Sequence, residues 1–330
     1  VKRVLFRRAG LGAAVLAVAV IGAPVSSGGA PALAAHSSDR AAVRLAAAAP
    51  AAPVRAASAA PYCGPTVIKS SGEAWACTFV ENFGTSRLDT DKWIVQRTAT
   101  SNFTTGVTDG ARACYLDHPS AVRVAGGALR LSVFKATSVF TCNAKVPFQT
   151  RYAAGMVSTH WRFSQTYGRF EVRARIPSSR EPGLQETLWL WPDDPTKYGA
   201  HPDSGEIDFA EFYSQYPDHV IPRIHYSYDP ATVNWLTSTN IVTSYNCRID
   251  QTAWNTYAVE WEPGRLTILV NGDVCLVDNY QADNTTVPFA PFNAPFMVVL
   301  TQALGHGSNA LTSDAALPAT TYVDYVRVWR

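Results

Sequence analysis

From Arg169 to Ile176 the chain alternates strictly, with Phe170, Val172, Ala174 and Ile176 apolar and Arg169, Glu171, Arg173 and Arg175 charged. A period of two turns one face of an extended strand to a core and the other to water, and a helix cannot reproduce it. The pattern returns at Tyr257, Val259 and Trp261, then at Leu266, Ile268 and Val270, then at Val274 and Leu276. Pro263-Gly264 and Asn271-Gly272 punctuate these runs, and Asn-Gly favours the type I′ turn of a tight hairpin, so a three-stranded meander is expected. Further strands are expected at Leu129–Val133, Phe296–Leu300 and Tyr322–Trp329. No stretch of ten residues carries a helical period. The expected fold class is all-β, a sandwich or jelly roll of two antiparallel sheets.

The first sixty residues are a different kind of sequence. Lys2, Arg3, Arg7 and Arg8 precede an apolar run from Ala9 to Val25, and Ala32-Leu33-Ala34 offers a cleavage site, so residues 1–35 read as a secretory signal peptide. A retained anchor is the competing reading. The run, broken by Gly10, Gly12, Gly22 and Pro24, falls short of the roughly 20 residues a bilayer needs. Residues 36–60, nearly all Ala, Pro, Ser and Arg, bury too little to order and read as a disordered linker or pro-segment. The folded domain is then 61–330, extracellular, with no membrane partner after cleavage. Residues 1–60 hold seven of the 28 basic and one of the 26 acidic residues, so the remainder is net −4. The basic excess of the whole chain belongs to the leader, which argues against a nucleic-acid partner.

All six cysteines (Cys63, Cys77, Cys114, Cys142, Cys247, Cys275) follow residue 60, an even count that suits disulfides in an exported protein. Sequence leaves their pairing open; bonds between sequence neighbours, 63 to 77, 114 to 142 and 247 to 275, are the expectation. Among the nine tryptophans most are expected in the core. Trp189 and Trp191, near the acidic segment, are the candidates for stacking on sugar rings.

That acidic segment is Gly205-Glu206-Ile207-Asp208-Phe209-Ala210-Glu211-Phe212. On a regular strand Glu206 and Asp208 share a face, while Glu211, five positions from Glu206, points away. A one-residue β-bulge at Phe209-Ala210 would bring it back. The two glutamate Cα atoms would then lie about 13 Å apart along the strand. Long side chains leaning together could approach the separation of about 5 to 5.5 Å that a retaining glycosidase needs. Crowded carboxylates also split their pKa values, keeping one protonated as an acid beside an ionised nucleophile. The plainer alternatives are a solvated acidic face or cation ligands.

These residues resemble the E-[ILV]-D-x-(x)-E signature of glycoside hydrolase family 16, in the six-residue form of its laminarinase, agarase and carrageenase branch. The resemblance continues in family order. Phe79–Phe83 with Leu88–Trp93 is similar to the family's opening, and Gly127–Leu131 to its next strand. Tyr167–Arg175 resembles Y-G-R-F-E-x-R-x-K, Tyr257–Trp261 resembles Y-x-x-E-W, and Val323–Trp329 resembles V-D-Y-V-R-V-Y.

The resemblance implies a jelly roll with a cleft across its concave sheet, Glu206 as nucleophile, Glu211 as acid/base and Asp208 as the residue that tunes the nucleophile. It implies that His225 lines the cleft, and that Asp324, with backbone oxygens near Glu81 and Gly127, matches a structural calcium site. Catalysis needs no cofactor. Many laminarinases read G-x-W-P-A-x-W where this chain has Gly183-Leu184-Gln185-Glu186-Thr187-Leu188-Trp189, so Gln185 replaces a stacking tryptophan at the substrate. The implied function is a secreted, monomeric, retaining endo-β-glycanase acting on a β-1,3-glucan. A galactan or another β-glucan, a transglycosylase and a non-catalytic glucan-binding protein are the alternatives.

Overall fold

The computed structural model describes residues 61–108, 110–227 and 241–330. The expected signal segment and linker lie outside the described residues. Two sheets, antiparallel except where Arg112–Tyr115 runs parallel to Phe148–Ala154, form a β-sandwich, His219–Val220 pairs separately with Cys247–Arg248, and the described helices are single turns. The smaller sheet has seven strands in the order Ile241–Thr243, Arg223–His225, Glu206–Tyr213, Leu184–Pro192, Phe296–Leu304, Met156–Ser158 and Ile94–Val95. The acidic strand is thus third from one edge, between Arg223–His225 and Leu184–Pro192.

The larger sheet has eleven strands, and its centre pairs Gly168–Arg175 with both Asn255–Glu262 and Ala319–Trp329. Asn255–Glu262, Arg265–Val270 and Asp273–Asp278 make the expected meander. Asn271 and Gly272 have φ of 53° and 90°, the left-handed pair a type I′ turn requires. Phe170, Val172 and Ala174 face inward, as their alternation demands, against Leu188, Leu190, Ile207, Phe209 and Leu300 of the smaller sheet. All six cysteines pair as sequence neighbours: Cys63 with Cys77, Cys114 with Cys142, and Cys247 with Cys275.

The strands Leu184–Pro192 and Phe296–Leu304 are buried on both faces. One face meets the sandwich core. The other carries Trp189, Trp191, Met297 and Val299, which cluster with Tyr115 under Phe103.

The Glu186 carboxyl lies inside the sandwich. Glu186, fully buried, accepts a hydrogen bond from Gln302 Nε2 at 2.6 Å, and Gln302 Oε1 accepts one from Thr321 at 2.8 Å, so a short polar chain spans the two sheets. Burial pushes the Glu186 carboxyl up to about 8, against the opposing pull of the Gln302 bond. A carboxyl whose folded pKa exceeds its unfolded value near 4.5 loses stability as pH rises between the two values. The deficit at pH 7 is of order 3 kcal/mol. We predict that Glu186→Gln, which keeps an oxygen for Gln302, stabilises the protein at pH 8 and leaves it nearly unchanged at pH 4.5. Urea unfolding at the two pH values checks this, and equal effects at both would refute it.

Candidate active site

The bulge sits where the spacing of the glutamates asks for it. Leu188 pairs with Ala210 but Trp189 pairs with Asp208, which leaves Phe209 as the extra residue. Ile207, Phe209, Ala210 and Phe212 all join the sandwich core, and Glu206, Asp208, Glu211 and Tyr213 are left on the opposite face. Gly205 admits the chain to this strand with φ of 81°, where a Cβ would lie 2.8 Å from Pro291 Cγ. Glu206 stands opposite His225 and Asp208 opposite Arg223 on the neighbouring strand, so all four share that face.

Each carboxylate has its own partner. Glu206 Oε2 lies 2.8 Å from Nε2 of His201, a residue of the preceding loop whose ring stacks on Trp191 with an interplanar angle of 20°. Asp208 Oδ2 lies 3.2 Å from His225 Nε2. Glu211 Oε1 accepts from Gln185 Nε2 at 2.6 Å, and its Oε2 pairs with Arg223 Nε at 3.1 Å. The Arg223 guanidinium also lies over the Tyr213 ring, 5.0 Å from its centre.

These surroundings drive the two glutamates apart. Burial favours the neutral form of Glu206, but the contact with His201 and the neighbouring His225 outweigh it and hold its pKa below the usual carboxylate value. Burial raises Glu211 above that value, and Arg223, Tyr213 and Gln185 only partly offset it. Asp208 is raised well above its ordinary value by burial and then by the charges of Glu206 and Glu211. Burial lowers His225 to about 4, so its imidazole is neutral at pH 7. At neutrality the face therefore holds an ionised Glu206, and Asp208 and Glu211 bind protons more strongly than free carboxyls do.

Of the other residues singled out from sequence, Gln185 and His225 are in this cluster. Trp189 and Trp191 are on the same face but only 8% and 6% exposed. The edge of Phe103 meets both, Trp189 Nε1 donates to Thr301 Oγ1 at 3.0 Å, and His201 covers Trp191. They wall the site, packed among Phe103, Thr301 and His201. His201, Arg223 and Tyr213 were not anticipated. Arg223 was within reach of a period-two argument, being two residues from His225 on one strand, whereas a loop histidine five positions before Glu206 carries no such signal.

Asp324, Glu81 and Gly127 lie on the larger sheet and its turns, and the residues present do not fit a calcium ion. Asp324 Oδ2 is held by Arg173 Nη1 at 2.6 Å, and the Glu81 carboxylate by Lys92 at 3.2 Å and the Phe83 N–H at 2.7 Å. A dication there would have to displace a guanidinium from the one side-chain ligand expected of the site.

A two-sheet sandwich with paired glutamates re-aligned by a bulge on its smaller sheet is a jelly-roll architecture with the carboxyl pair that glycoside hydrolysis uses. Residues 117–327 match the model of glycosyl hydrolases family 16. The chain is 35% identical over 193 residues to a β-glucanase of Rhodothermus marinus, covering 56% of this chain and 65% of that protein. It is 31% identical over 179 residues to a keratan-sulfate endo-1,4-β-galactosidase of Sphingobacterium multivorum, covering 54% of this chain and 40% of that one. The solved laminarinase of Rhodothermus marinus superimposes with a TM-score of 0.63 at 27% identity, over 78% of this chain and 97% of that structure. The chain belongs to glycosyl hydrolase family 16. It spans between about two fifths and two thirds of the length of the two sequence relatives.

Among the described residues Arg223 is the full cation beside Glu211, so its removal has a definite sign. We predict that Arg223→Met raises the protonation midpoint of Glu211 further, because burial is then less opposed. Carboxyl-carbon NMR titration reads the midpoint directly, and a fall would contradict the assignment of Arg223 as its main counter-charge.

Proposed function

We propose that the protein is a secreted, retaining endo-β-glycanase that hydrolyses a β-linked polysaccharide, a β-1,3-glucan of the laminarin type first among them. The observation that carries this reading is the split between two glutamates on one face of one strand, Glu206 held low and Glu211 held high. An attacking carboxylate beside a proton donor is what double displacement at an acetal carbon requires.

In the first half, the Glu206 carboxylate attacks the anomeric carbon and the bond to the leaving sugar breaks. Glu211 gives its proton to the departing oxygen, which leaves a glycosyl ester on Glu206. In the second, Glu211 as carboxylate takes a proton from water, the water oxygen attacks the anomeric carbon, and Glu206 is released. Asp208, whose pKa burial and the charges of Glu206 and Glu211 raise well above its ordinary value, adds less competing negative charge during attack than a free carboxylate would. Gln185 and Arg223 aim the Glu211 carboxyl. No cofactor takes part. The catalytic unit is residues 61–330, acting as an extracellular monomer behind the export leader and linker.

The β-1,3-glucan reading is supported by the likeness to a β-glucanase and a laminarinase. A galactan is the second reading, favoured by one specific feature. Gln185 is committed to Glu211 where many laminarinases have a tryptophan, and a related chain is named as an endo-β-galactosidase.

Reducing-sugar release from laminarin, lichenan, agarose, carrageenan, keratan sulfate and xyloglucan distinguishes these readings. We expect laminarin to be cleaved, Glu206→Gln to abolish release, and Glu211→Gln to slow it about 10²–10⁴-fold. NMR of the first product should show the β anomer. An α product would reject double displacement, and undiminished release by Glu206→Gln would reject Glu206 as nucleophile.

A further inference from the structure

We propose that the face carrying Glu206 is also a binding site for a zinc-type divalent metal ion, held by Glu206, Asp208 and His225 with His201 as the adjoining fourth ligand. One potential ligand atom from each of the first three lies within 4.8 Å of the others. Tetrahedral zinc, with bonds to nitrogen and oxygen of about 2.0–2.2 Å, sets its ligand atoms roughly 3.3 Å apart. The His225 Nε2 to Asp208 Oδ2 distance is 3.2 Å and the His201 Nε2 to Glu206 Oε2 distance is 2.8 Å, so two edges of such a polyhedron already stand close to their final length.

The ligand capacity there is unspent. Asp208 is 3% exposed, and its Oδ1 meets no hydrogen-bond partner. Nε2 of His201 is likewise sealed from solvent and faces Glu206 Oε2, 2.8 Å away. An oxygen buried as Asp208 Oδ1 is costs free energy, and a metal ion would satisfy it.

The supports are rigid. Glu206 and His225 face each other on paired strands, and the His201 ring is braced by Trp191. Two imidazoles with two carboxylates make a mixed nitrogen and oxygen set, which suits zinc, whereas calcium and magnesium prefer six or more oxygens. Glu211 is taken by Gln185 and Arg223, so Glu206 and Asp208, the latter giving up its proton to the metal, are the two carboxylates left to neutralise a dication.

A metal bound this way occupies the Glu206 oxygens that would attack the sugar, so it would block hydrolysis reversibly; this consequence rests on the proposed function, whereas the binding does not. Calorimetry of the purified protein with Zn²⁺ alone tests the binding, with Mg²⁺ and Ca²⁺ alongside. We expect one saturable zinc site, no saturable site for the other two, and visible absorption bands of four-coordinate geometry with Co²⁺. His225→Gln and Asp208→Asn should each weaken zinc more than tenfold, with Glu211→Gln unchanged. His201→Gln, on a loop outside the sheet, supplies a variant whose folding does not depend on strand pairing, and it should also weaken the site. Zinc binding that is absent, or equally tight in His225→Gln, Asp208→Asn and His201→Gln, would overturn the proposal. If zinc binds as expected while the wild type cleaves none of the polysaccharides, the hydrolase reading fails and the metal site stands. Zinc that saturates the site without slowing a cleaving enzyme would overturn the blockade.

Discussion

Everything at the acidic face depends on one extra residue. Without Phe209 as a bulge, alternation would send Glu211 into the sandwich and bring Phe212 out to solvent. With it, four side chains of one strand fill the core and four carry the chemistry. The same strand can therefore satisfy a hydrophobic interior and a carboxylate cluster, two demands that a regular two-residue period would set in conflict. The irregularity is held in place because both phases are anchored: Ile207 and Phe209 are fully buried on one side of it, Ala210 and Phe212 on the other.

Placing three carboxyls within one sheet face is unfavourable unless each finds a partner or a proton. The structure uses both routes. Glu206 has His201, and Glu211 has Arg223 and Gln185. Asp208, most strongly disfavoured as an anion, lies between its charged neighbours beside a neutral His225. The asymmetry of partners turns three similar groups into three different ones. It also places Gln185 in a role other than that of the tryptophan it replaces, since a donor to the acid/base candidate is a device for aiming a proton and not for stacking a sugar.

How much of this was legible in the chain differs from residue to residue. The meander could be read because alternation and the Asn271-Gly272 turn are local signals. The bulge could be read because Glu206 and Glu211 are five apart and must be four in effect to share a face. Disulfide pairing by sequence neighbours is the arrangement observed, although spacing alone left it open. Trp189 and Trp191 were the candidates for stacking on sugar, and the sequence held no sign that Phe103, more than eighty residues away, would pack against both.

What the sequence by itself determined is therefore periodic and local: an all-β sandwich, the strand that bears the carboxyls, and the family those residues resemble. The tertiary structure alone decided which cation or amide stands beside which carboxyl, and so which glutamate is held low and which high. The physical reason is range. A strand's two faces follow from the covalent geometry of neighbouring residues, whereas a pKa follows from burial and from groups a few ångströms away in space, contributed here by a loop and by the strands on either side.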